Sequence, residues 1–500
     1  MLDIQTIINY LQSNKLDLAV TECLTLIQQQ PNNADLQQLL GIIYGKSGKL
    51  NSAIQAFKQA IKLDPKQSVY HNNISNTYKL SGNFELALRH LNEALLLAPN
   101  NSESHNNLAS LYYSQGQIVQ ALPIYEKAIR LNPNSWEAHY NLANCYIKTD
   151  MVLQAISHYQ TAIKLNSGHT DAKLNLAMAY VSLKDYTSAL PYLIEAAVNN
   201  PDHAELQGHL AEAYLDLGRA PEAITQYITA LKLQPERAEW HHNLAVLYLR
   251  DKQLDKAKLH FATSLSLQPE NQTAQHMLAA LENKASPSTA PSEYVTELFD
   301  QYAGYYNKHV SDQLNYSVPQ LLRQAVGKYI TDATKPLNVL DLGCGTGLCG
   351  IYFRDLANFL IGVDLSSQML VQARMLNAYD GLCQANILDT IPGYNLKVFD
   401  LVIAADVFVY IGDLSLVFSY IVSALRANSK IAFTVETLQD EQQNYVLQNS
   451  GRYAHSIKFI AKICDQFGLN ICTMEQVILR KHNDFNINGF LYILEFNHTK

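Results

Sequence analysis

The 500-residue chain carries 37 Lys and Arg against 45 Asp and Glu, a formal charge of −8, and 48% of its residues are hydrophobic, which is room for a repeat array and one further domain that each bury a core. Residues 290–500 alone hold 15 basic and 20 acidic side chains, an acidic balance that argues against a nucleic-acid partner because a phosphate backbone demands cations. The seven Cys show no paired or metal-ligand spacing, so no metal is expected; with neither a signal peptide nor a membrane-length apolar run, the chain is expected to be cytoplasmic, without a membrane span.

The first half repeats at 34 residues without a slip. Proline recurs at Pro31, Pro65, Pro99, Pro133, Pro201, Pro235 and Pro269, with Ser167 in the missing place. Alanine recurs at Ala19, Ala53, Ala87, Ala121, Ala155, Ala189, Ala223 and Ala257, and tyrosine at Tyr10, Tyr44, Tyr78, Tyr112, Tyr146, Tyr180, Tyr214 and Tyr248. Small residues let two helices approach, Tyr fills the space between them, and Pro ends one pair and begins the next. This is the tetratricopeptide period. Residues 1–271 are predicted to form eight such repeats, with a capping helix over residues 272–283. The array is an α-solenoid with a concave groove lined by the first helix of each pair.

Counted from Ala34, the sixth place of successive repeats holds Leu39, Asn73, Asn107, Asn141, Asn175, His209 and Asn243. Asn is a poor helix-interior residue, but its amide both donates and accepts, as a peptide group does. A ladder of Asn can therefore hold an extended polypeptide by its backbone, and the pattern resembles the asparagine ladder in the repeats of O-linked N-acetylglucosamine transferase. A merely solvated row, or one inherited from repeat duplication, is the alternative. No matched set of groove lysines is present to clamp a C-terminal carboxylate.

Residues 284–292 contain two prolines among small polar residues and read as a short linker. The segment after it, from Tyr294 through Phe299, Tyr302, Tyr305 and Tyr306, has helical spacing and many aromatics. Residues 293–500 are then expected to form a single domain.

The run Val339-Leu-Asp341-Leu-Gly343-Cys344-Gly345-Thr346-Gly347 reads as a buried strand turning sharply into a helix. Glycine permits the bend and the close approach of a ligand, and the helix start offers unpaired N–H groups. The nicotinamide fingerprint G-x-G-x-x-G fails at Leu348. An acid two places before the first glycine would repel a diphosphate but tolerates a cofactor with a cationic amino-acid end. The segment closely resembles motif I of class I S-adenosylmethionine-dependent methyltransferases. Asp364 ends the next apolar strand, 17 residues beyond Gly347, where a carboxylate can accept both ribose hydroxyls. The resemblance further implies that Leu365 and Met369 pack near the adenine. It implies that Asn386, standing where the family usually has Asp, accepts from the adenine amino group, with Ile387 beside it. The aromatic segment resembles the N-terminal lid of small class I methyltransferases, which makes Tyr302 and Tyr306 candidates for the cofactor's amino-acid end.

The rest of the domain follows the methyltransferase order. A fourth strand from Phe399 leads into Asp406, which the family places beside the transferable methyl group. Helical periodicity spans Leu414 to Leu425, a fifth strand runs from Lys430 to Glu436, and a helix from Ile457 to Phe467 is stopped by Gly468. Leu469 to Leu479 and Gly489 to Phe496 read as a closing antiparallel hairpin. The fold expected is thus an α-solenoid followed by an α/β Rossmann-like, seven-stranded class I methyltransferase domain. Arg426-Ala-Asn-Ser429 takes the place of the family's Pro-Gly-Gly turn.

Methyl transfer from a sulfonium needs alignment and exclusion of water, plus a base if the acceptor is a nitrogen or hydroxyl. Glu436, at the fifth strand's end, and Asp406 are candidates. So is the patch Gly451-Arg452-Tyr453-Ala-His455-Ser456, which resembles a segment of bacterial methyltransferases fused to tetratricopeptide repeats, a family the whole chain resembles. His455 is the expected base, and Arg452 with Tyr453 the expected substrate anchor. The Asn-Pro-Pro-Tyr type of motif used on flipped bases is absent. The function expected is an S-adenosylmethionine-dependent methyltransferase whose repeats recruit a polypeptide or protein partner, with the methyl acceptor unidentified. A small-molecule methyltransferase with a docking scaffold and a non-catalytic adaptor are the alternatives.

Overall fold

The structure is a computed structural model and describes residues 4–282, 286–303, 316–330, 335–391, 395–482 and 485–497. The chain divides into two compact units, Met1–Leu233 and Gln234–Lys500.

In the first unit fourteen described helices, from Ile4–Gln12 to Ala220–Leu233, pair in chain order as seven helical hairpins. The periodic alanines are all fully buried, Ala19 through Ala257. At the turn of every hairpin one residue takes positive φ. Gly48, Gly82, Gly116 and Gly218 fill that place at 72–78°, and Asn14, Asp150 and Lys184 fill it at 55–59°. Side chains of Asn33, Asn101, Ser135, His169 and His203 cap the first helices of their repeats by accepting a backbone N–H. Two repeats hold a half-buried histidine pair between their helices, His71 with His90 at 3.1 Å and His139 with His158 at 2.9 Å between Nδ1 atoms.

The second unit opens with the eighth helical pair, Ala238–Arg250 and Leu254–Leu267, then the helix Gln272–Glu282 in the place of the expected cap. This pair repeats the histidine device in His241 and His260, 2.8 Å apart, and the positive turn in Lys252. The sheet that follows comprises β1 (Leu337–Leu342), β2 (Ala357–Asp364), β3 (Gly381–Gln384), β4 (Phe399–Ala404), β5 (Leu425–Thr437), β6 (Tyr445–Leu447), β7 (Tyr453–His455), β8 (Leu469–His482) and β9 (Phe485–Phe496). β3-β2-β1-β4-β5 are parallel, β9 is antiparallel to β5, and β8 to β9. That is the expected seven-stranded order with a closing hairpin. Helices Val318–Gly327 and Leu348–Phe353 bury one face around Leu322, Phe353 and Leu360. Helices Ser415–Ala424 and Ile457–Phe467 bury the other around Phe418, Phe433 and Ile460.

Three local expectations change. Residues 426–429 are not a turn: they lie inside β5 as a bulge, between the pairs Phe399–Leu425 and Leu401–Lys430, with Asn428 at φ 63°. The patch around Arg452 is a turn joining a short hairpin, with β6 antiparallel to β7 and β7 pairing in parallel beside the end of β5 through Glu436–Ala454 and Thr437–His455. The described part of the linker is pinned down: Ser286 Oγ accepts from Leu447 N, Ser288 O from the N–H groups of Gly412 and Asp413, and Ala290 N donates to Tyr410 O. Proline and small residues here serve a tight crossing over the sheet's end, where backbone groups find backbone partners.

Candidate functional site

β1 ends in Asp341 and the chain turns through Gly343, Gly345 and Gly347, all at positive φ (64°, 53° and 91°). A Cβ on Gly343 would lie 2.5 Å from Val407 Cγ2, so this turn sits directly against the loop after β4. Cys344 is buried and its N–H donates to Val363 O at 2.9 Å, tying the turn to β2. Thr346 is buried as well.

Asp341 is almost completely buried. Its Oδ2 accepts from the Tyr379 hydroxyl at 2.6 Å, while Oδ1 is buried with no protein donor. Burial raises its pKa to about 7, against the Tyr379 hydrogen bond, which lowers it. An unmatched carboxylate oxygen in this position is fitted to a cationic group. Tyr379 was not singled out from the sequence. It wedges under the turn, also accepting from Gly350 N at 3.0 Å, and a Cβ at Gly350 or Gly362 would strike it. Two small residues facing one aromatic were the only trace of it in the sequence.

At the tip of β2 the Asp364 carboxylate accepts from Gly345 N at 2.8 Å and Ser366 N at 2.9 Å. It thus closes the glycine turn while keeping acceptor capacity on each oxygen. Ser366, not Asp364, caps the helix Ser367–Met375 by accepting from Met369 N, which seats Met369 in the core. The Leu365 carbonyl accepts from Gln384 at 3.2 Å. Asn386 spends one lone pair of its amide oxygen on Leu388 N (2.9 Å) and gives an N–H to Ser292 Oγ (3.0 Å); Ile387 packs on the core beneath. The aromatic segment forms the helix Ser292–Tyr302, and its Asp300 bonds Ser366 Oγ. This helix therefore lies along the β2 and β3 loops, as a lid would. The Tyr302 side chain and the whole of Tyr306 lie outside the described residues.

A second group of side chains gathers where β4 and β5 end. Asp406, at φ 59°, is fixed by its N–H to Thr434 Oγ1 (3.0 Å). One Nη of Arg480 meets both Asp406 oxygens at 2.9 and 2.8 Å, and the other bonds Glu436. Arg452 stands 4.0 Å from the same Glu436 oxygen, and its guanidinium carbon lies 5.6 Å from the centre of the Tyr410 ring. Three expected site residues, Asp406, Glu436 and Arg452, thus meet in one cluster. Arg480 and Tyr410 are the members the sequence reading missed. Arg480 is a charge at the end of the apolar run Val477-Ile-Leu of β8, a break in pattern that could have flagged it.

His455 and Tyr453 face the core instead. Buried His455 donates from Nε2 to the carbonyls of Ile411 (2.8 Å) and Gly412 (3.1 Å) and stacks on Phe459; burial lowers its pKa to about 4. It is placed as a latch on the turn after β4, and so acidic an imidazole is a weak base. Tyr453 is fully buried against Tyr445.

In the array, Asn73, Asn107, Asn141, Asn175 and Asn243 are all half-buried. Much of the ladder is internal. Asn107 Nδ2 donates to Asn72 (3.0 Å), Asn141 to Asn106 (3.1 Å) and Asn175 to Asn144 (3.1 Å), each linking one repeat to the preceding one. A cleft of about 350 Å³ holds two ladder positions, Asn175 and His209, beside Leu174, Met178, Tyr192 and Leu206.

Comparison with known proteins separates a run of repeats from a C-terminal domain. Residues 333–488 match a family described as a methyltransferase domain. Tetratricopeptide-repeat families match from residue 34 to residue 271, with segments including 34–67, 67–134 and 238–271. The chain is 31% identical over 140 residues to a malonyl-[acyl-carrier protein] O-methyltransferase of Salmonella typhimurium, covering 28% of this chain and 52% of that one. It is 51% identical over 39 residues to an 18S rRNA (guanine-N(7))-methyltransferase of Bos taurus, covering 8% and 14%. The chain thus spans about half the length of the first of these relatives. The crystal structure of YrrB, described as a TPR protein with an unusual peptide-binding site, matches with 24% identity and a TM-score of 0.35, covering 37% of this chain and 96% of that one. The chain carries tetratricopeptide repeats followed by a methyltransferase domain. No helix among the described residues is long and apolar enough to cross a membrane.

Proposed function

We propose that this protein transfers a methyl group from S-adenosylmethionine, and that its repeats recruit a polypeptide that is, or carries, the acceptor. The carrying observation is the buried Asp341, with one oxygen unmatched, beside a turn whose three glycines leave no Cβ in a ligand's way. Asp341 and the backbone of Gly343, Cys344, Gly345, Thr346 and Gly347 would hold the amino-acid end. Asp364 would take the ribose; Leu365, Met369, Asn386 and Ile387 would border the adenine. Bound there, the cofactor supplies an already activated methyl group. The chain's part is to align the acceptor and exclude water, and the helix Ser292–Tyr302 supports that by covering the β2 and β3 loops.

One observation favours the small-molecule alternative. The amide groups of Asn107, Asn141 and Asn175 already serve the repeats' own cohesion, which leaves less of the ladder for a guest. The relatives name a malonyl carrier protein and a guanine, so they point to no common acceptor. Calorimetry of the full chain with S-adenosylmethionine and with S-adenosylhomocysteine tests the pocket; affinity for neither refutes methyl transfer. Incubation with methyl-labelled cofactor and fractionated cell extract then sorts the readings by whether label enters protein or small molecules.

A further inference from the structure

The amide contacts between repeats stop at one joint. At the three joints before it, the sixth-place Asn107, Asn141 and Asn175 each donate back to an amide oxygen of the preceding repeat, at its fifth place (Asn72, Asn106) or its ninth (Asn144). At the next joint the sixth place is His209, whose Nδ1 lies 3.2 Å from Glu212 of its own helix. The fifth and ninth places of the repeat before it hold Leu174 and Met178, both half-buried. Apolar side chains have taken the place of an amide contact.

This joint carries the cleft of about 350 Å³, lined by the helices Thr170–Ser182, Tyr186–Asn199 and Ala204–Asp216. Its size falls in the range of ligand pockets, roughly 300–1,000 Å³. Leu174, Met178, Tyr192 and Leu206 form its apolar wall. Its charges lean one way: Asp171, Glu195 and Glu205 line it against one permanent cation, Lys173, which is bonded to Glu195 at 2.6 Å. Asp171 is exposed and makes no hydrogen bond or ion pair among the described residues. Asn175 spends its two N–H groups on Tyr140 Oη and Asn144 Oδ1, which leaves its own Oδ1 for a donor.

Resting on the reading that the repeats recruit a polypeptide, we propose that this cleft is where they grip it, and that the gripped segment carries a large apolar side chain next to a Lys or Arg. The apolar side chain is buried against Leu174, Met178, Tyr192 and Leu206, which supplies the affinity. The neighbouring cation faces Asp171, an exposed pair that adds selectivity more than strength. A backbone N–H of the segment donates to Asn175 Oδ1.

The test selects a random decapeptide display library on the immobilised full chain. Enriched peptides should share an apolar–basic pair; enrichment of acidic peptides, or of a motif lacking either member, overturns the assignment. The best decapeptide, labelled with fluorescein, is then titrated by polarisation against three variants. Each installs a residue that another repeat carries at the same place: Leu174→Asn as at Asn72, Met178→Asn as at Asn144, and Asp171→Val as at Val69. The first two should weaken binding about tenfold. Asp171→Val and replacement of the peptide's basic residue by Ala should together cost little more than either alone. Additive losses would confine Asp171 to the start of its own helix and overturn the cationic half of the assignment. A decapeptide whose affinity none of the three variants changes overturns the cleft and leaves recruitment by the repeats standing; no enrichment of any peptide overturns both.

Discussion

Gly343 and Asp341 concentrate the chemistry of the turn proposed to hold the cofactor. Gly343→Ala must place an L side chain at φ 64° and drive its Cβ into Val407. The backbone alone costs about 1–2 kcal/mol, and the clash adds to it. Gly345→Ala, at φ 53° with nothing within 4 Å, should cost only the backbone part. Thermal unfolding of the two variants checks the order, and calorimetry should find cofactor affinity lost in Gly343→Ala. Asp341 carries a pH signature. Its folded pKa of about 7 exceeds the unfolded carboxylate value, so its contribution to stability is fully present below the unfolded pKa and is lost as pH rises to about 7. A ligand ammonium prefers the ionised form, so affinity should tighten as pH rises through 7 and titrate less in Asp341→Asn. A pH-independent affinity would detach Asp341 from the cofactor. His455, its pKa lowered to about 4 by burial, stays neutral from pH 6 to 8. His455→Ala should therefore destabilise by about 1–3 kcal/mol through the lost latch without removing any rate inflection near pH 6.5. Complete loss of turnover in a folded variant would restore it as the base.

Among the elements, the repeats were legible because each structural need recurs eight times. The alanines that read as contact residues are all buried. What escaped was a rarer pairing. His at the fourth place of a repeat occurs with His at the twenty-third in three repeats, and these are the three half-buried pairs. In each pair the two Nδ1 atoms lie within hydrogen-bond distance, so a bond between them needs one ring to donate and the other to accept. Burial, with the partner's charge second, lowers the pKa of His90 and His260 to about 4, and that of His158 falls in the same direction. The stability these pairs contribute is present above about pH 6.5 and is lost as pH falls toward 4. A chain with all three pairs replaced by Asn should show a flatter acid limb in denaturant midpoint between pH 6.5 and 4. The hairpin turns add a second expectation. Lys184→Gly, at a position already at φ 57°, should stabilise by about 1 kcal/mol. In the sheet the long strands and the αL stop at Gly468 were readable from pattern. β6 and β7 were not, because three-residue strands carry no period, and the bulge at residues 426–429 looks like a turn until its pairing partner is known.

For the molecule as a whole, the compact division at 233/234 does not coincide with the composition break at residues 284–292. The reason lies in contacts that pattern reading does not reach. His276 of the helix Gln272–Glu282 bonds Gly451 O at 3.0 Å and packs on Tyr294, while Thr273 bonds Glu297. A chain starting at residue 286 would expose Tyr294 and strip the turn next to Arg452. It should melt well below a chain starting at residue 234, which should unfold cooperatively and bind S-adenosylhomocysteine as the full protein does. Equal melting of the two would show the helix to be dispensable.

Gly451 makes the point in one residue. At φ 78° it stands where any added Cβ would meet the Tyr294 hydroxyl and Met277 sulfur, so the last helix of the array and the bend that presents Arg452 share a wall one atom thick. Copies of the 34-residue unit can be gained or lost upstream of residue 234 without touching that wall. The helix Gln272–Glu282 cannot be traded so freely, because over generations its surface has to change in step with the domain it leans on.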